Sequence, residues 1–155
     1  MAATGVGESD EFARFSKWTS EYLKAGEAEQ ADMIGEGARL AEGRRQALVG
    51  LMKSNPSEAA RNLVAEEIRT ALPAEIVGRM EAPFHGIGIP RMLVFDHFER
   101  GESRHALSME LDGHHLHLHP ALRRGTLVLN REAKVKGYRL GAHFLLLEAR
   151  ASRDA

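Results

Sequence analysis

The stretch Ser103-Arg-His-Ala-Leu-Ser-Met-Glu-Leu-Asp-Gly-His-His-Leu-His-Leu-His-Pro120 decides how the second half of this chain is read. Asp112-Gly113 sits between two alternating runs. Both residues tolerate positive φ, which a two-residue hairpin turn demands. That turn predicts Leu111 opposite His114, Glu110 opposite His115, Met109 opposite Leu116, Ser108 opposite His117 and Leu107 opposite Leu118. Side chains alternate along a strand. One face therefore carries Leu107, Met109, Leu111, Leu116 and Leu118, with His114. The other carries Ala106, Ser108, Glu110, His115, His117 and His119. The first face should pack on a core. The second is either a solvated surface or a site.

Outward from the hairpin the period stays near two. Met92 to Phe98 is a strand candidate, and Glu99 to Glu102 a turn. Downstream, Arg123-Arg124-Gly125 reads as a turn, Thr126 to Leu129 as strand-like and Asn130-Arg131-Glu132 as a turn. Ala133 to Leu140 reads as a strand ending at Gly141. The apolar run Ala142 to Ala149 fits a buried strand or the first two turns of a helix, and periodicity cannot choose for so short a run. Residues 92–149 thus predict a small antiparallel β-sheet or barrel, followed by a polar tail over 150–155. Upstream, Pro83, Gly86, Gly88 and Pro90 crowd into residues 81–91, which read as a connector.

Residues 10–80 read as a helical segment, after a small, Gly-containing lead-in over 1–9 expected to be disordered. Asp10 could cap a helix over 11–25, where Phe12, Phe15, Trp18, Tyr22 and Leu23 form one apolar face and Gly26 stops it. Such a face packs in a core far more often than it forms an exposed groove. A second helix spans Glu27 to Lys53, with Met33, Gly37, Leu40, Ala41, Arg44, Leu48, Leu51 and Met52 on one stripe. Gly35, Gly43 and Gly50 lie away from it, each costing about 1 kcal/mol against alanine. Arg44-Arg45 reads as solvated or paired with a neighbour such as Glu42. Asn55-Pro56 restarts the chain as cap and first helical residue. The helix that follows covers 57–65, extends toward Ala71 and ends at Pro73; a short helical piece runs from Ala74 to Met80. The fold class is therefore α+β, an array of three to four helices followed by the β segment.

With 155 residues the chain can bury a real core. A formal net charge of −1 gives no general pull toward nucleic acid or an anionic membrane. The absence of cysteine excludes disulfides, thiolate metal sites and cysteine nucleophiles. No stretch approaches the ~18 apolar residues of a membrane span. The first residues lack the basic and apolar regions of a signal peptide. Residues 81–155 hold all eight histidines, so the two segments are chemically unlike.

The helical part carries Phe15-x-x-Trp18-x-x-x-Tyr22, then Gly37-x-x-Leu40-Ala41-x-x-Arg44-Arg45-x-x-Leu48-x-x-Leu51-Met52, Asn55-Pro56-x-x-Ala59 and Ala71-Leu72-Pro73. This pattern, with Gly86-Ile87-Gly88 and Asp112-Gly113 after it, resembles a module near the N-terminus of large exported bacterial multidomain proteins. Some of these carry reprolysin-like metalloprotease domains downstream. The resemblance covers roughly residues 12–149. It implies an exported, extracellular, non-enzymatic accessory module whose partner is another protein or a downstream domain of the same polypeptide. It brings no catalytic residues with it. The histidine-rich strand departs from the pattern.

Three chemistries can be weighed on the residues themselves. Same-face neighbours on a strand lie about 7 Å apart, so His115 with His117, or His117 with His119, could share a zinc ion. Glu110 could add a third ligand, and His97 or His105 another if their strands are adjacent. No motif demands a metal or any other cofactor, and an outer strand face that happens to use histidine looks the same. Ser108, His117 and Glu110 supply the residue types of a hydrolase triad, without an oxyanion hole or a strained nucleophile turn. Arg123, Arg124, Arg131, Lys134, Lys136 and Arg139 surround Tyr138, as in small barrels that bind single strands, but one aromatic is a thin stacking platform. Clustered histidines could also sense pH.

Overall fold

The computed structural model describes residues 3–97 and 102–152. Five helices come first: α1 (Ala3–Lys24), α2 (Glu27–Ser54), α3 (Pro56–Arg61), α4 (Glu66–Thr70) and α5 (Ala74–Val77). Five strands follow: β1 (Ala82–His97), β2 (Glu102–Leu111), β3 (His114–Gly125), β4 (Ala133–Leu140) and β5 (His143–Ala151). The α+β expectation holds, with one more helix than the upper count predicted. Among the described residues no helix is long and apolar enough to cross a membrane.

The helices pack through the stripes that the spacing marked. Phe15 and Trp18 stack at 6.0 Å between ring centroids, and Trp18 and Tyr22 at 4.9 Å. They close a core with Leu40, Ala41, Leu72, Ile76 and Met80. Gly37 is required here, because any Cβ would collide with the Trp18 indole. The indole Nε1 donates to the Met33 carbonyl at 3.1 Å. α1 starts at Ala3 rather than after Asp10, so the expected disordered lead-in is helical over 3–9. No proline interrupts that stretch, and Asp10 pairs with Arg14 one turn on instead of capping.

Asn55 caps α3 as expected, accepting from the Glu58 amide at 3.2 Å, with Pro56 in the first turn. The helix does not run on to residue 65. It stops at Arg61 because the backbone beyond it has other partners. The Asn62 carbonyl accepts from Arg44 Nη2 at 2.9 Å, and the Val64 amide donates to Glu81 Oε2 at 3.0 Å. Arg44 was expected to be solvated or paired nearby. It is instead buried and bidentate to Glu81, at 2.6 and 2.9 Å. Its guanidinium lies 5.7 Å from the Phe12 ring centroid and 5.4 Å from that of Phe15.

Residues 81–91, expected to be a connector, belong to β1 from Ala82 onward. The glycines that suggested a linker face the barrel interior. A Cβ on Gly88 would press into Met109, and one on Gly86 would meet Leu111. Small residues here make room for the large side chains of the facing strand. β1 pairs with both β2 and β4, and the strands close into a barrel in the order β1-β2-β3-β5-β4. That order is the connectivity of the OB-type Greek-key barrel.

The β2–β3 hairpin has the predicted register: Leu111 opposite His114, Glu110 opposite His115, Met109 opposite Leu116 and Ser108 opposite His117. Asp112 and Gly113 take φ of 49° and 77°. Met109, Leu111, Leu116 and Leu118 point into the barrel with Ala133, Val135, Phe144, Leu146 and Ala149. His114, assigned to that face, is exposed at the turn, where the ladder ends. The turn expected between the first two strands falls largely on residues 98–101, outside the described residues.

Three expectations for the C-terminal part need correction. Arg123-Arg124-Gly125 is not a turn; β3 continues through it after a register shift between Pro120 and Arg124. Thr126 to Leu129 forms no strand, because closure of the barrel has already paired both neighbouring edges. The sheet is mixed rather than antiparallel: the apolar run read over Ala142–Ala149 resolves as strand β5 (His143–Ala151), which reaches into the expected tail, and β5 runs parallel to β3. The outer faces of β3, β4 and β5 then present Ala121, Leu140, Leu145 and Leu147 to Leu48, Leu51 and Met52 of α2 and Ala59 and Ala60 of α3. This second apolar layer joins the helices to the barrel.

Candidate functional site: a histidine cleft at the helix–barrel seam

The parallel β3–β5 ladder places His117 opposite His143 and His119 opposite Leu145. All of these lie on the outer side of the barrel, since their neighbours Leu118 and Phe144 fill its interior. His119 Nε2 lies 3.0 Å from His143 Nδ1, so one ring donates and the other accepts. The two rings stack at 5.2 Å between centroids, and His117 lies 5.1 Å from His143 on the other side. The three imidazoles line a cleft of about 510 Å³ under the junction of α2 and α3. Met52, Lys53 and Pro56 form one wall, and Ala106, Leu107, Leu118 and Pro120 line the rest.

The position explains the electrostatics. Burial against the helical layer, then the neighbouring His143, His117 and Lys53, lower the His119 pKa from 6.5 to about 4. Burial, then His117, Lys53 and Arg45, also lower that of His143. Both rings are therefore neutral at pH 7. Every charged or titratable neighbour acting on them is basic. Arg45 reaches the seam from α2, where its guanidinium lies against Gly141 at the β4–β5 turn.

The predicted metal face is divided between two places. Glu110 and His115 are opposite one another and exposed beside the Asp112-Gly113 turn. His119 lies four residues further along β3 from His115, about 13 Å at strand rise. No single ion can touch both. His117 stands between them, exposed. His97 and His105 sit on β1 and β2, opposite Glu102 and Val94. Among the described residues, no group of three or more His, Asp or Glu side chains is placed to hold a metal ion. His143 was missed because it opens an apolar run that had no assigned neighbour. Its signal was that it is the one imidazole in that run.

The other sequence readings fare differently. Ser108 is 2% exposed and its hydroxyl lacks a hydrogen-bond partner, so it is sealed from any substrate. Of the basic residues of the C-terminal half, Arg123 and Lys136 share a small cavity of about 240 Å³ with His85, Tyr138 and Glu148, while Arg124, Arg131, Lys134 and Arg139 do not line it. Arg123 Nη2 donates to the Ala60 carbonyl at 3.3 Å. Arg139 lies over the Phe84 ring at 5.7 Å, and Tyr138 packs against the helix–barrel layer. The outer β2–β3 face, which OB-type barrels use for single strands, has Glu110, His115 and His117 there and no described aromatic. A second cavity, of about 450 Å³, lies between α1 and residues 61–68 over Phe12, Phe15 and Arg44. Its polar lining is Ser16, Thr19, Ser20, Arg44, Arg61 and Asn62, with no histidine or lysine among them.

No family model matches this chain. No curated protein and no solved structure matches it either.

Proposed function

We propose that this chain is a non-enzymatic accessory module of a larger exported bacterial protein, serving as a binding unit. One observation carries the reading. The histidine cleft, where three imidazoles and Lys53 converge on about 510 Å³, has no nucleophile–base–acid set among its lining residues. Its three imidazoles are joined by one lysine and by apolar walls, an arrangement suited to holding a ligand. Ser108, opposite His117 across the β2–β3 ladder, is sealed from solvent. The helical pattern that resembles modules of exported proteins supplies the cellular context.

The reading frame beyond Ala155 in the source genome tests this. Continuation into a further extracellular or surface domain supports the proposal. An in-frame stop with no export signal upstream overturns the exported-module part of it. The alternative reading from sequence, zinc binding through Glu110, His115, His117 and His119, is tested separately. Untagged, chelator-treated protein re-equilibrated with zinc would hold one tight ion, lost in His115→Ala/His117→Ala. The second alternative, nucleic-acid binding by the barrel, would give an oligonucleotide affinity that falls steeply with salt.

A further inference from the structure

We propose that the seam cleft binds the phosphate end of a small organic phosphomonoester, held by Lys53 and the imidazoles of His117, His119 and His143. The proposal deepens the binding-unit reading above and rests on it only for the absence of turnover.

Charge is the first argument. The cleft is lined by three imidazoles and an ammonium, and none of its lining residues is acidic. Among the described residues, neither Lys53 nor Arg45 has a carboxylate within ion-pair distance. The neighbours that act on the His119–His143 pair are all basic side chains: His117 from β3, and Lys53 and Arg45 from α2. Low-dielectric walls focus such a field. A divalent cation entering here would meet two fixed positive charges. A dianion would neutralise them.

Donor geometry is the second. One N–H of the His119–His143 pair is spent between the rings, across 3.0 Å. A second N–H of that pair remains to face the cleft, and exposed His117 can turn its own toward the same point. Lys53, exposed at the end of α2, adds three rotatable donors. A phosphate has enough acceptor oxygens for all of them.

Shape is the third. About 510 Å³ is far more than a bare phosphate fills and lies within the range of small-molecule sites. Met52, Pro56, Leu107 and Pro120 give the remainder an apolar lining. The ligand should therefore carry an organic group beyond its phosphate.

The test is calorimetric titration of the full chain, after chelator treatment, with phenyl phosphate. We expect saturable 1:1 binding. Lys53→Ala and His143→Ala should each weaken it at least tenfold, and His115→Ala should change it less than twofold. Inorganic phosphate should bind more weakly than phenyl phosphate. Lys53 is exposed, so its variant stays informative even if His143→Ala fails to fold. Absence of saturable binding, equal loss in His115→Ala, or no loss in Lys53→Ala overturns the site. Equal affinity for phenylacetate overturns the assignment to phosphate. Stoichiometric zinc held by His119 and His143, with no phenyl phosphate binding, overturns it in favour of a metal. Release of phosphate from the probe would instead overturn the non-enzymatic reading and leave the binding site standing.

Discussion

The helical layer and the barrel bury their interiors by opposite means. The barrel is filled by alternation alone, with Met109, Leu111, Leu116, Leu118, Phe144 and Leu146 inside and no charged group among them. The helical layer has a charged centre. Arg44 and Glu81, 2% and 1% exposed, hold the backbone of Asn62 and Val64 and the start of β1 in one place. Arg69 Nε donates to the Glu81 carbonyl at 3.2 Å and adds to the same knot. The helices that need this are short: α3, α4 and α5 span 6, 5 and 4 residues. Pieces of that length have little stability of their own. A buried polar centre gives them a fixed arrangement where apolar contacts alone would leave several. The barrel has its register set by the ladder and needs no such device.

The contrast can be broken most strongly at its charged centre. Arg44→Met or Glu81→Leu should each cost about 3–5 kcal/mol, because either leaves an uncompensated buried charge. Urea denaturation measures this. The double variant should cost much less than the sum, and additive losses would mean the pair does not act as a unit.

A barrel truncation should cost somewhat less and act differently. Leu116→Ala should lose about 3 kcal/mol through lost burial and the cavity left behind. Near-ultraviolet circular dichroism should retain the signal of the stacked Trp18 and Tyr22 until the global transition. Early loss of that signal would show that the helical layer depends on barrel packing more than on its own ion pair.

The seam between the two regions should respond to pH. An imidazole whose pKa is lowered by folding binds fewer protons folded than unfolded. In metal-free protein this stabilisation is complete above about pH 6.5 and is lost as pH falls toward 4, the value for His119. We expect about 2 kcal/mol, below the full linkage because solvent reaches the pair. His119→Gln should flatten that part of the stability profile. The smallest effect belongs to the hairpin turn. Gly113→Ala, at φ 77°, should cost about 1 kcal/mol.

How far the residues themselves carried the reading depends on how local each decision was. Asn55-Pro56 specifies its helix start within four residues, and the structure has that cap. Asp112-Gly113 specifies the hairpin and its register, and alternation then sends the leucines inward. The aromatic stripe of α1 needed only its own spacing. Where two non-local partners compete for the same residues, local rules misled. Gly86 and Gly88 look like a linker until Leu111 and Met109 are seen to need the space. The candidate site was half visible. Three histidines stood out on one strand, but their grouping did not.

By itself, then, the sequence determined the α-then-β order, the helix start at Asn55, the Asp-Gly hairpin and the apolar faces. Each follows from side-chain periodicity or backbone preference over a few residues. Only the tertiary structure decided that β1 begins at Ala82, that β5 runs parallel to β3, and that Arg44 finds Glu81 across 37 residues. It also decided that His119 leaves its strand neighbours for His143, 24 residues away. The reason is physical: barrel closure sets which strands are adjacent, and adjacency rather than spacing determines which buried polar groups must satisfy one another.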